Sequence, residues 1–535
     1  MKVASLVLIL SLPVAAQDVQ AFRIRAHAKF LSHDLLEGRG VGTRGGGLAA
    51  EYIATQFALA GLKPAGANGS FFQPVPLVGV APESTRLEAV KGSERVRMDW
   101  LKDFVGVTET QREKVEVEAE AVFVGHGIVA PEYGWDDFKG ADVRGKVLVL
   151  FTNEPPSADP AFFKGRALTY YGRWTYKFEQ AARMGAAGCI IIHTPATAGY
   201  GWDVVRNSWG REAIQMRLAP GQPALPLAGW ITTEAGERLL ALAGRKVGEL
   251  LELAGRRDFR PVPLGFRISA ALRYKIRQVE ANNVVGMAPG SDPSLAQEAV
   301  LFTAHWDHLG IGAPVNGDRI YNGALDNATG CALLIEMAHA WSALNKKPRR
   351  SALFLAVTAE ESGLLGSAYY ARHPVVPAGK TALALNFDSP HPLGMTSDIT
   401  VPGAERTTLW ELVQSVAARH RFEILPDPRP EAGGYYRSDH FPLARVGIPA
   451  FSVGLGQNYL GKPKEAIAEI LKTYAAKHYH QPSDEFREDW DFSGVAALGR
   501  FAVALNMEAA NLDTLPGWVE GDEFFQIRRN SLSSR

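Results

Sequence analysis

Between residues 280 and 455 the chain alternates short apolar, β-branched runs with longer helical stretches, and three of the runs stop at a residue able to hold a metal. The runs lie at 284–287, 300–304, 353–357 and 383–387, with a later one at 448–453. Helical stretches fall at 328–344, 364–372 and 406–420. Such alternation predicts an α/β fold: a mostly parallel mixed sheet flanked by helices, because parallel strands need helical crossovers and are covered on both faces. Sheets of this kind place their chemistry beyond the carboxyl ends of the strands.

Those ends carry the informative residues. The run 300–304 leads into His305, Trp306, Asp307 and His308, the run 353–357 into the paired Glu360 and Glu361, and the run 383–387 into Asp388. Two adjacent glutamates on an extended backbone point in different directions, so one is free to bind a metal while the other faces a substrate. Between the first two runs lies the loop Gly323-Ala324-Leu325-Asp326-Asn327-Ala328-Thr329-Gly330. Towards the C-terminus comes a second loop, His478-Tyr479-His480-Gln481-Pro482-Ser483-Asp484-Glu485. Imidazoles with carboxylates form a ligand set for zinc and similar divalent ions, and a bridging carboxylate would allow two of them. Each residue taken alone is an ordinary cap or turn residue; their meeting at one sheet edge carries the argument.

The rest of the chain sets the frame. At 535 residues it exceeds one ordinary core, and two or three domains are expected. Lys plus Arg and Asp plus Glu are equal at 57 each, which gives nucleic acid no basic face to bind. Residues 1–16 read as a secretory signal peptide: Lys2, an apolar run, then small residues before Gln17. With no other long apolar run, an exported chain without a stable membrane span is expected, periplasmic or extracellular. Cys189 and Cys331 sit in apolar patterns and read as buried thiols. Residues 17–114 read as an N-terminal segment of the catalytic domain, with helices at 19–36 and 48–59; the glycines at 38–47 read as a flexible turn between them. Residues 115–260 have a β-rich texture of short strands and turns, and residues 261–535 hold the alternating pattern and a last helix at 492–512.

The motifs AHWDHLG, GALDNATG, AEESGLLGS, LNFDS, YRSDHFPLARVGIPA and YHQPSDE together resemble the M28 family of zinc exopeptidases, the aminopeptidase Y and S group, over about 280–490. The segment 115–260 resembles the protease-associated domain inserted in several exopeptidases, through Tyr133-Gly134-Trp135-Asp136-Asp137, Gly145-Lys146-Val147 and Gly185-Ala186-Ala187-Gly188. That insert would cover the cleft or bind partners. The M28 resemblance implies two zinc ions per chain. His305 and Asp388 would serve one, Glu361 and His480 the other, and Asp326 would bridge them. It further implies Glu360 as general base, Asp307 as orienting support and Tyr435 as donor to the tetrahedral oxyanion. The choice of His480 over His478 rests on the family motif. Peptides are the implied substrates, trimmed from the N-terminus. Related readings are a one-zinc glutaminyl cyclase, a carboxypeptidase in which a basic residue such as Arg437 takes the terminal carboxylate, and a non-catalytic binding protein. His33, His126, His339 and His391 match no motif and read as structural.

Overall fold

The computed structural model describes residues 18–533; the leader expected at 1–16 lies outside them. A fourteen-stranded sheet runs through the molecule. At one end stand Ala450–Ser452, Thr381–Asn386, Ala299–His305 and Ser351–Val357, in that order and all parallel. The three longer strands are buried at every position, as a sheet covered on both faces requires. Phe302 lies opposite Phe354 in the register, and their rings stack with centroids 4.8 Å apart. The helix Thr329–Ser342 packs against Ala21–Leu31, Arg44–Leu59 and Ser493–Ala509 to close this core. The α/β architecture expected from the alternation is therefore present. No helix among the described residues is long and apolar enough to cross a membrane.

Two long strands tie this core to a second one. Val262–Ala288 pairs antiparallel with Phe72–Lys91, from Val284 opposite Phe72 to Arg267 opposite Val90. Its last residues join the first core beside Ser351–Val357. Its first half alternates, with Leu264, Phe266, Ile268, Ala270, Leu272 and Tyr274 buried and the residues between them more exposed. That is the period-2 signature of a strand with one face in water. Where it enters the first core the alternation gives way to a continuous buried run from Asn283 to Gly286. One strand thus carries both textures and links the two cores covalently.

The second core gathers residues between Val78 and Tyr274. Its strands Lys114–Phe123, Val147–Phe151, Gly188–Ile192 and Leu227–Ile231 run parallel, with Phe104–Val107 antiparallel at the edge. Helices Trp174–Arg183, Trp202–Trp209, Thr233–Ala241 and Val247–Ala254 lie between and after these strands. Cys189 and Cys331 are both buried and unbridged.

Candidate metal centre and active site

Parallel pairing puts the ends of Ala299–His305, Ser351–Val357 and Thr381–Asn386 side by side, and the site is built there. His305 is the last residue of its strand and is 1% exposed. Its Nε2 stands 3.3 Å from Asp326 Oδ1 and 3.5 Å from Asp388 Oδ1. His480 Nε2 stands 3.4 Å from the other oxygen of Asp326 and 3.0 Å from Glu361 Oε2. The structure therefore brings His305, Asp326, Asp388, Glu361 and His480 together, with the Asp326 carboxylate between two imidazoles. Glu360 approaches from the His305 side: His305, Glu360 and Asp388 offer ligand atoms within 4.8 Å of one another, as do His305, Asp326 and Glu361.

The electrostatics follow from this crowding. Burial alone would lower the pKa of His305, but Glu360, Asp326 and Asp388 outweigh it and hold it well above the ordinary value. His480 is likewise pushed up to about 10 against its burial, by Glu361 and Asp326. Asp326 is held well below the usual range despite burial, because both imidazoles face it. Burial, reinforced by Glu361 and Asp439, drives Glu360 well above the usual carboxylate range, although His305 opposes the shift. Yet neither imidazole Nε2 has a hydrogen-bond partner, although both are buried. Buried polar nitrogens aimed at carboxylates without a bond between them fit a divalent cation seated among them. Metal binding requires neutral imidazoles, so occupation would release the protons these carboxylates retain.

Supporting contacts fix the ligands. The Nδ1 of His305 lies 3.1 Å from the Asp307 carbonyl, which accepts its proton and leaves Nε2 free for a metal. The Asp307 carboxylate accepts from the Glu360 backbone N–H at 3.1 Å. Burial pushes Asp307 up to about 7, with His305 pulling the other way. Ser438 donates to Asp388 Oδ2 at 2.7 Å and is itself held by Asn386. Asp484 accepts from the amides of Leu325 and Asp326 at 3.0 and 3.1 Å, which seats the Asp326 loop. From the second core, Ser208 Oγ lies 3.0 Å from His480 Nδ1, and Asn207 donates to the His480 carbonyl.

The sequence assigns no supporting role to His308, which meets Glu361, or to Ser438 and Asp484, although the motifs AHWDHLG, YRSDHFPLARVGIPA and YHQPSDE contain them, and none to Ser208 and Asn207. Ser208 and Asn207 come from the other core, and nothing local to them points at His480.

Two expectations need correction. Tyr435 is not turned towards the ligands: its hydroxyl donates to the Ala450 carbonyl at 3.1 Å, and the Arg406 guanidinium lies 4.6 Å from its ring centre. The cavity beside Glu360 is lined by the next residues, Tyr436 and Arg437, and not by Tyr435. The short helix Gly434–Tyr436 sets this, since consecutive helical side chains diverge. The glycine segment after residue 38 is not a flexible turn. Arg39 within it is fully buried and donates to the carbonyls of Leu31, Trp306, Asn322 and Gly323 at 2.6–2.9 Å. Gly38 has φ +64, and a Cβ there would meet the Tyr321 carbonyl at 2.3 Å, so only glycine lets the chain come this close.

A cavity of about 500 Å³ opens on Glu360, Glu361 and His480, walled by both cores. A second of about 630 Å³ also reaches Glu361 and is bordered by Asp307 and His308. The arrangement offers a dense anionic ligand cluster, a protonatable glutamate beside it and room for a peptide.

Comparison with known proteins places this geometry. Residues 283–504 match the model of peptidase family M28. The chain is 31% identical over 182 residues to leupeptin-inactivating enzyme 1 of Streptomyces exfoliatus, a match spanning 33% of this chain and about a third (36%) of that enzyme. An aminopeptidase from Aneurinibacillus sp. strain AM-1 superposes with TM-score 0.51 at 19% identity, covering 92% of this chain and 95% of that one. A zinc aminopeptidase from Bacillus subtilis gives TM-score 0.49 at 17% identity, covering 95% and 98%. The segment 283–504, which contains every strand end that builds the centre, is thus a peptidase family M28 segment.

Proposed function

We propose that this protein is an exported di-zinc aminopeptidase that removes N-terminal residues from peptides. The observation that carries the reading is Asp326, whose two oxygens face two imidazole nitrogens with no hydrogen-bond partner of their own. His305 and Asp388 would hold one ion, Glu361 and His480 the other, with Asp326 shared. When bound, such ions lower the pKa of a water and polarise the peptide carbonyl. Glu360 then serves as the base: it takes the proton of the attacking water and passes it to the leaving amine nitrogen. The Asp307 carboxylate holds the Glu360 backbone amide, so the base keeps its place beside the ligands. Glu361 is spent as a ligand and Glu360 is not, which divides the tasks between neighbours.

The family match supports peptide hydrolysis, and the chemistry of the donor set supports zinc. Export rests on the leader-like residues 1–16. The segment 115–260 is assigned a covering role, because Trp174 and Ser208 from it face the cavity that Glu360 lines. Metal analysis tests the reading: two zinc ions per chain, loss of turnover on chelation and recovery on adding zinc are expected. A chain that binds no divalent metal after zinc loading contradicts it.

A further inference from the structure

The two imidazoles that face Asp326 are supported differently. His305 ends a buried strand, and its Nδ1 lies 3.1 Å from the Asp307 carbonyl, two residues along in the same core. His480 lies in the loop between the helices Lys464–Lys477 and Ser493–Ala509. Its φ is +58, a backbone conformation that an L side chain disfavours and that persists where surrounding contacts hold it. Those contacts come from the second core. Ser208 Oγ lies 3.0 Å from His480 Nδ1, and Asn207 Nδ2 donates to the His480 carbonyl at 3.2 Å. A neutral ring that offers Nε2 to a metal carries its proton on Nδ1, so Ser208 is then the acceptor.

Ser208 and Asn207 stand on the last turn of the helix Trp202–Trp209. The second core grips that helix. Val205 is buried within it, the Trp209 ring lies 5.3 Å from Trp174 and 5.4 Å from Phe178, and Trp202 Nε1 donates to the Leu101 carbonyl at 3.0 Å. The helix is therefore a rigid part of the second core and independent of the loop that carries His480. The other supports run inside the catalytic core: His308 to Glu361, Ser438 to Asp388, and Asp484 to the amides of the Asp326 loop. Of the five candidate ligands, His480 is the one whose hydrogen-bonded anchors cross between the cores, among the described residues.

We propose that metal occupancy and the seating of the second core on the catalytic core are coupled, with Ser208 as the positioning residue for His480. This rests on the di-zinc reading above. A ring held by Ser208 presents Nε2 towards Glu361 and Asp326 before an ion arrives, whereas an unheld ring is free to turn. An ion that prefers the seated arrangement by a given factor favours seating by the same factor, because the two equilibria are linked. The coupling belongs to the Glu361 and His480 position. The His305 and Asp388 position keeps its supports within one core.

Two measurements on the full chain test this. Zinc titration against a competing chelator reads the positioning. Of two binding steps, Ser208→Ala is expected to weaken one by about 10–100-fold and to leave the other in place. Ser208→Thr keeps the hydroxyl and is expected to restore the weakened step. Hydrogen exchange, followed with and without zinc, reads the coupling. Amides of the helix Trp202–Trp209 are expected to exchange more slowly with zinc bound in the natural chain, and Ser208→Ala is expected to lose that slowing. The buried strand Leu227–Ile231 of the same core serves as the control and is expected to be indifferent to zinc. Steps unchanged by Ser208→Ala, or both weakened alike, overturn the positioning role. Slowing confined to the catalytic core of the natural chain overturns the coupling without any variant. Absence of all zinc binding defeats the di-zinc reading and this inference with it, whereas two intact steps indifferent to Ser208→Ala defeat the inference alone.

Discussion

His308 Nδ1 lies 2.6 Å from Glu361 Oε1, while the other oxygen of Glu361 faces His480 at 3.0 Å. One carboxylate oxygen is therefore anchored to protein and the other is left for the centre. Both side chains are buried, so water cannot replace the anchor without rearrangement. Partners of this kind fix the direction in which a ligand presents its lone pair. His308→Ala is expected to weaken one of the two metal sites by about 10–100-fold and to spare the other. Zinc titration against a competing chelator checks this through two separated binding steps; two unchanged steps would mean that Glu361 needs no anchor.

Glu360 is placed to carry a proton, yet its carboxyl also lies within ligand reach of His305 and Asp388. Glu360→Gln distinguishes the roles. As a base, its loss is expected to lower kcat by about 10²–10⁴-fold with both ions retained. Metal content measured on the same sample decides: loss of an ion would make Glu360 a ligand.

Arg39 closes the backbone of two ligand loops, because it binds the carbonyls of Trp306 and Gly323, next to His305 and three residues before Asp326. Arg39→Met would strand four buried carbonyls. A loss of about 3 kcal/mol or more in unfolding free energy is expected. Denaturant titration measures it, and a loss under about 1 kcal/mol would mean that the loops are held by other contacts.

His126, in the second core, is buried against the Thr152 carbonyl, and burial assisted by Lys177 lowers its pKa to about 3. The unfolded chain binds this proton from near pH 6.5 downwards, and the folded chain only near pH 3. Its contribution is thus full above pH 6.5 and is lost as the pH falls towards 3. Between pH 7 and 5 the loss amounts to about 2 kcal/mol. Denaturant titrations at the two values should show His126→Gln losing less stability on acidification than the natural chain. Equal losses would place the acid sensitivity elsewhere.

Much of this was legible in the sequence because strand ends are legible. His305, Glu360, Glu361 and Asp388 each follow an apolar run whose length and composition mark a buried strand, and parallel pairing then aligns their ends. Asp326 and His480 sit in loops, where periodicity gives no register, and only the family motif marked them. Tyr435 failed for a related reason. A motif assigns a position, but one step along the helix Gly434–Tyr436 changes which wall a ring faces. The long strand Val262–Ala288 hid its extent by changing texture midway: alternating from Leu264 to Tyr274, then continuously apolar near Val284. The helix Phe525–Ser533 buries only Arg528, so it has no apolar stripe to announce it. Arg528 docks it instead, through the carbonyls of Pro516, Ala378 and Thr381.

The most direct test of the central claim is mass spectrometry of the products from zinc-loaded protein given two peptides, identical except that one is N-acetylated. Stepwise loss of N-terminal residues from the free peptide alone is the expected result. Equal trimming of both peptides from the C-terminus, or no cleavage of either with metal bound, would contradict an aminopeptidase.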